Sequence, residues 1–247
     1  MNPHLPHIPI SRLAPSFITL LALCLGITSI RYAFDEKWST AAALIIIAAV
    51  LDATDGMVAR MLDASSKFGA ELDSLSDLVS FGVAPAIVMY LWCLQEIPYK
   101  GVGWSVVLFF IACSAIRLAR FNSNLNDGEA RPKKSNSMIF FVGVPITAGG
   151  VLAMLPMLLT FDLLDNIFSP WAIATYMIII GFLMVSKIST FSIKSVSIPK
   201  EYISIILVLA AVIMAGMILE PWVLLPIFAL LYLLSIPISI LVYRKQR

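Results

Sequence analysis

Residues 51–77 read LDATDGMVARMLDASSKFGAELDSLSD. They set Asp52, Asp55, Asp73 and Asp77 inside stretches that are otherwise apolar. An ionised aspartate at mid-membrane costs about 2.5–3.5 kcal/mol on insertion scales, so such residues are rare unless paired or functional. At about 100° per residue, Asp52, Asp55, Gly56 and Ala59 share one helix face; Asp73 and Asp77, four apart, share another. The short connector predicts two antiparallel neighbouring helices, with the carboxylates converging on one polar pocket near a membrane surface. Uncompensated, they would repel and take up protons. Hard divalent cations with oxygen ligands relieve that repulsion. The apolar blocks contain no histidine, and no cysteine lies near the cluster, which argues against zinc. Two metals about 3.5–4 Å apart can clamp both sides of a phosphoryl centre. Gly56 and Ala59 leave the aspartate face bare enough for a bulky ligand. Taken singly, these small residues suit helix packing, and two aspartates suit a proton relay or ion site.

The surroundings of this stretch are those of a membrane protein. Of the 247 residues, 60% are hydrophobic and 13% charged, against about 45–50% and about 25% in soluble domains. A spanning helix needs about 20 mostly apolar residues. Eight blocks approach that length: 14–32, 39–62, 70–94, 102–121, 138–160, 170–190, 202–219 and 222–243. The expected fold is therefore all-α, a polytopic membrane helical bundle of about eight transmembrane helices, forming a single domain over residues 1–247. Glu220-Pro221 predicts a tight turn between the last two spans. The N-terminal block has no clear small-residue cleavage site and reads as a span. With the N-terminus in the cytoplasm, fourteen Lys and Arg fall on that side, and only Arg31, Lys37 and Lys100 fall opposite. The positive-inside rule then puts both termini in the cytoplasm. A net charge of +2 is too small to indicate nucleic acid. Cys24, Cys93 and Cys113 lack metal-ligand spacing and read as small core residues.

The aspartate stretch resembles the signature of the CDP-alcohol phosphatidyltransferases, D-x2-D-G-x2-A-R-x8-G-x3-D-x3-D. The matching residues are Asp52, Asp55, Gly56, Ala59, Arg60, Gly69, Asp73 and Asp77, with every gap correct. The resemblance implies a helical membrane fold whose site opens to the cytoplasm. It implies Mg²⁺ or Mn²⁺, as two ions, held by Asp52, Asp55 and Asp73. Asp77 would act as the general base and is also a candidate metal ligand. Gly56, Ala59 and Arg60 would lie along the CDP moiety. Further resemblance to serine-accepting, membrane-embedded members of the family rests on FGAELDSLSDLVSFGVAPA at 68–86, RLARFN at 117–122, FLMVS at 182–186 and FSIK at 191–194. It implies CDP-diacylglycerol and L-serine as substrates, membrane lipids as surroundings, and an arrangement compatible with a homodimer. Ser16 departs from the asparagine that many relatives carry there.

Other residues carry weaker signals. Arg117 and Arg120, three apart near the end of the fourth block, serve equally as topology-setting charges or as an anion site for a carboxylate or phosphate. Lys133 and Lys134 sit in a polar loop, where contact with anionic lipid is the default. Glu71 falls off the Asp73/Asp77 face. Gly143 and Pro145 are expected inside the fifth span as a kink, and His4 and His7 in a solvated tail. Two rivals stay open: a family member with another acceptor, such as glycerol 3-phosphate or inositol phosphate, and a secondary ion transporter. A transporter would be expected to show internal repeats or paired broken helices, neither of which is visible in the sequence. The topology predicts that single cysteines introduced at Ser135 and Asp165 react with an impermeant thiol reagent from opposite sides of the membrane. Labelling from one side alone would refute the eight-span arrangement.

Overall fold

The computed structural model describes residues 13–62, 66–126, 141–163, 168–186, 189–190 and 203–245. Helices α1 (Ala14–Phe34) and α2 (Trp38–Met61) form a hairpin. The third apolar block is α3 (Lys67–Asp77), a π-helical turn (Leu78–Val83) and α4 (Ala84–Trp92). After a short 3-10 turn comes α5 (Lys100–Asn126). Next are α6 (Ile146–Ala153), α7 (Leu155–Asp162), α8 (Pro170–Val185), α9 (Ile203–Leu219) and α10 (Pro221–Lys245). Two two-residue strands, β1 (Phe141–Val142) and β2 (Ser189–Thr190), pair antiparallel, a small addition to an otherwise helical fold.

Among the described residues, four segments are long and apolar enough to cross a membrane: Ala14–Phe34, Trp38–Met61, Lys67–Trp92 and Gly101–Ser123. Pro170–Val185 and Pro221–Pro237 are shorter apolar helices. Local sequence sets several of these ends. Ser66 caps α3 by accepting the Gly69 amide at 2.9 Å, and Ser169 caps α8 by accepting that of Ala172 at 3.3 Å. Pro170 and Pro221 open α8 and α10, where a missing N–H costs nothing. The expected turn at Glu220-Pro221 lies between α9 and α10, with the Glu220 amide donating to the Gly216 carbonyl at 2.8 Å.

The interior is built from Phe81, Phe110, Ile45, Met89, Met157 and Met177. Large apolar side chains such as Phe17, Val50, Val212 and Ile218 face outward. Facing water they would be a liability; facing lipid they are the expected surface. Cys93 and Cys113 are buried as expected, but Cys24 is exposed on the outer face of α1, so it is not a core residue.

The fifth span departs from expectation. Gly143 and Pro145 lie outside it, since α6 starts at Ile146 and Gly143 has φ 79° in the preceding turn. The span itself breaks at Met154, between α6 and α7. Pro156 lacks the N–H that would bond the Leu152 carbonyl four residues back. Tyr176 of α8 donates its phenol to that carbonyl at 2.8 Å, so a side chain replaces the missing backbone donor, as apolar surroundings demand.

Glycines allow the closest approaches, around the π-helical turn. A Cβ on Gly26 would lie 2.6 Å from Ser80 Oγ, and one on Gly150 would lie 2.6 Å from the Phe81 carbonyl oxygen. α1 and α6 therefore pack backbone-close on the turn that follows Asp77. For the fifth span, Tyr176→Phe is expected to destabilise the protein by about 1–3 kcal/mol, the cost of leaving a buried acceptor unsatisfied. Unfolding in mixed micelles measures this, and an unchanged midpoint would show that Leu152 needs no such partner.

Candidate metal centre

The aspartates come from the C-terminal half of α2 and from α3. Ligand oxygens of Asp52, Asp55 and Asp73 all lie within 4.8 Å of one another. Asp77, one turn beyond Asp73, lies close enough to Asp52 for the two carboxylates to interact. All four carboxylates therefore converge. Asp55 is buried at 4% exposure, while Asp52, Asp73 and Asp77 are half-buried. α3 reaches them through α1, against which both α2 and α3 pack. The expected pair of directly neighbouring helices is thus organised by a third.

The donor set suits a hard divalent cation: three clustered carboxylates, all oxygen. Among the described residues, none of the four aspartates forms an ion pair with Lys or Arg. The cluster consequently has unbalanced negative charge in a low-dielectric setting, which a bound divalent cation would neutralise. Gly56 offers the open face expected of it, since a Cβ built there meets nothing within 4 Å. Ala59 is half-buried beside it, and Arg60 is exposed at the helix end. Gly69 lies over the Ser66 hydroxyl, 3.1 Å from where its Cβ would be. Glu71 is exposed, away from the cluster.

The two arginines are tied to backbone. Arg117 Nε donates to the Val144 carbonyl at 3.0 Å, and its guanidinium lies 5.2 Å from the Phe121 ring centroid. Arg120 Nη1 donates to the Val185 carbonyl at 2.6 Å. Both therefore clamp segments flanking α6 and α8. Only Arg117 is half-buried, and it is close enough to Asp77 for their charges to interact. Lys133 and Lys134 lie outside the described residues, as do His4 and His7.

Residue spacing does not mark several polar contacts near the cluster. Thr19 Oγ1 donates to Asp55 Oδ2 at 2.5 Å, and Thr147 Oγ1 to Asp52 Oδ2 at 3.3 Å. Asn122 of α5 donates its amide to Ser74 Oγ at 2.9 Å, joining α5 to the aspartate-bearing α3. Threonine and serine in spanning helices usually bond their own backbone, so nothing in their spacing marks these as different. Only their tertiary partners do.

A family model for the CDP-alcohol phosphatidyltransferases matches residues 12–241. The chain belongs to that family. Among its relatives, a Mycobacterium leprae protein named CDP-diacylglycerol–serine O-phosphatidyltransferase is 39% identical, over 93% of this chain and 75% of the relative. One of the same name from Mycobacterium tuberculosis is 38% identical, over 96% of this chain and 80% of the relative. Another from Helicobacter pylori is 35% identical, over 71% of this chain and 70% of the relative.

The two glycine environments predict opposite outcomes. Gly56→Ala should keep or raise stability, by up to about 1 kcal/mol from helix propensity, yet reduce turnover because its methyl enters the space beside the carboxylates. Gly150→Ala should lower stability by about 1–3 kcal/mol, since the methyl meets backbone. Unfolding midpoints and initial rates on the two variants check both, and normal turnover in Gly56→Ala would mean that the open face is not used.

Proposed function

We propose that this chain transfers a phosphatidyl group from CDP-diacylglycerol to L-serine, releasing CMP and leaving phosphatidylserine in the membrane. The observation that carries the reading is the convergence of Asp52, Asp55 and Asp73 within 4.8 Å, in a chain of this family with relatives of that name at 38–39% identity. The rival reading as an ion transporter is set aside by family membership, because the intramembrane carboxylates are those of the family signature.

Asp52, Asp55 and Asp73 are the proposed ligands of Mg²⁺ or Mn²⁺, with Asp77 as a further candidate. Such cations, when bound, supply charge neutralisation for a diphosphate and its departing nucleotide. Gly56, Ala59 and Arg60 line the side from which the CDP group would approach: two small residues admit it, and an exposed guanidinium matches phosphate. Asp77 is the proposed general base. It takes the proton of the serine hydroxyl as that oxygen forms a bond to the phosphorus bearing diacylglycerol and the bond from phosphorus to CMP breaks. The catalytic contribution of these residues is positioning and electrostatic stabilisation more than covalent chemistry. Asp77→Asn keeps the shape and removes the basicity, so turnover should fall while donor binding is retained.

Serine also brings a carboxylate, which is costly to desolvate without a cationic partner. Arg117 is the favoured partner. It is half-buried on the Asp77 side, and its Nε donates to the Val144 carbonyl, which leaves the planar guanidinium as a fork suited to a carboxylate. Arg120, more exposed, is the weaker candidate. The proposed site opens to the cytoplasm of a multi-pass protein in the cell membrane, supported by the fourteen-to-three distribution of basic residues. It is built within one chain, so a homodimer would be an arrangement of whole sites.

The test of the substrate assignment is CMP release from CDP-diacylglycerol by the purified chain, acceptor by acceptor. Serine should be preferred, and a preference for glycerol 3-phosphate or inositol phosphate would leave the family and remove serine. Arg117→Lys should raise the Michaelis constant for serine roughly ten-fold or more, since one charge-assisted hydrogen bond is worth about 1.5–3 kcal/mol. The constant for CDP-diacylglycerol should change less. An unaltered serine dependence would refute the role of Arg117.

A further inference from the structure

Thr19 stands where the two aspartate-bearing helices are joined, and the proposed chemistry does not use it. It lies in the second turn of α1, 5% exposed. Its hydroxyl faces two acceptors, the Pro15 carbonyl at 3.0 Å and Asp55 Oδ2 at 2.5 Å. A hydroxyl has one proton to give. The Pro15 carbonyl is already the regular helical acceptor for the amide four residues on, that of Thr19 itself. Asp55 is buried and has no ion-pair partner among the described residues. The proton therefore goes to the carboxylate, and the short distance is that of a charge-assisted bond.

The main chain of the same residue holds the other helix. The Thr19 carbonyl accepts from Ser76 Oγ at 3.1 Å, and Ser76 sits between Asp73 and Asp77 on α3. The next contact along continues the pattern, with Ser80 Oγ donating to the Ala22 carbonyl at 3.4 Å, close to where Gly26 admits Ser80. Side chain and main chain of one α1 residue thus reach Asp55 of α2 and the Asp73–Asp77 turn of α3.

We propose that Thr19 is a positioning residue for the divalent-cation site. Its hydroxyl occupies one oxygen of Asp55 and leaves the other for the space shared with Asp52 and Asp73. Its carbonyl fixes how far α3 slides along α1. The proposal rests on reading the carboxylate cluster as a cation site. Thr19→Val keeps the branched shape and the main-chain contact to Ser76 while removing the donor. Thr19→Ser keeps the donor and removes a methyl.

The experiment is a titration of Mn²⁺ into the purified full-length chain in micelles, without lipid substrate, with free Mn²⁺ read by electron paramagnetic resonance. Loss of an outer-shell partner typically weakens metal affinity by about 10–100-fold. Thr19→Val is therefore expected to raise the Mn²⁺ dissociation constant about ten-fold or more. Thr19→Ser should stay within about three-fold of the parent, as its hydroxyl keeps that partner in place. If Thr19→Val yields no folded protein, Thr19→Ala is read by the same criterion. Parent-like affinity in the donor-less variant overturns the proposal. So does a Thr19→Ser variant as impaired as Thr19→Val, because packing would then be responsible. A parent that binds no Mn²⁺ would overturn the cation-site reading itself, an outcome distinct from the other two.

Discussion

Like charges held together inside a membrane are the constraint on which the rest of this fold depends. Two unit charges 4.8 Å apart, the outer limit within the Asp52, Asp55 and Asp73 group, repel by about 3.5 kcal/mol at an effective dielectric of about 20. Desolvation adds to that for Asp55, which is buried. A bundle bearing such a cluster has to hold it against its own repulsion. α1 does this from one side and α6 from another, each placing a threonine hydroxyl on one of the α2 carboxylates. The close glycine contacts at Gly26 and Gly150 bring those same two helices against the π-helical turn beside the cluster.

The interruptions in the helices have a common cause. Within a membrane each backbone polar group needs a partner inside the protein, so departures from regular helix survive only where side chains or neighbouring helices supply one. Tyr176 does so for the carbonyl freed by Pro156. Arg117 and Arg120 do so for Val144 and Val185 at the edges of α6 and α8. The Val144 contact places Arg117 between the segment that leads into α6 and the charge of Asp77.

Much of the site is legible in the sequence because its chemistry is expensive in its surroundings. Asp52, Asp55, Asp73 and Asp77 stand out against apolar blocks, and their helical spacing correctly foretells convergence. Gly56 reads as an open face and is one. Apolar block length locates the helices well wherever a span is regular, as in α1, α2 and α5. It fails at the fifth span, where Gly143 and Pro145 were expected inside a helix that instead begins after them and breaks at Met154. Hydropathy averages over about 19 residues and does not see a broken turn. The hydroxyl partners Thr19, Thr147 and Ser76 were invisible for a different reason. Their contacts join residues 36 to 95 positions apart, and no local pattern encodes such pairs. Cys24 shows the same limit, because an apolar block does not say which of its faces meets lipid.

The central claim is that the carboxylate cluster works by holding divalent cations for phosphatidyl transfer. It is tested most directly by measuring CMP release by the purified chain after exhaustive chelation and again after restoring Mg²⁺ or Mn²⁺. The account predicts that turnover falls to background in chelator and returns with either ion, and that neither ion restores it in Asp52→Asn or Asp73→Asn. Full turnover in excess chelator would contradict it.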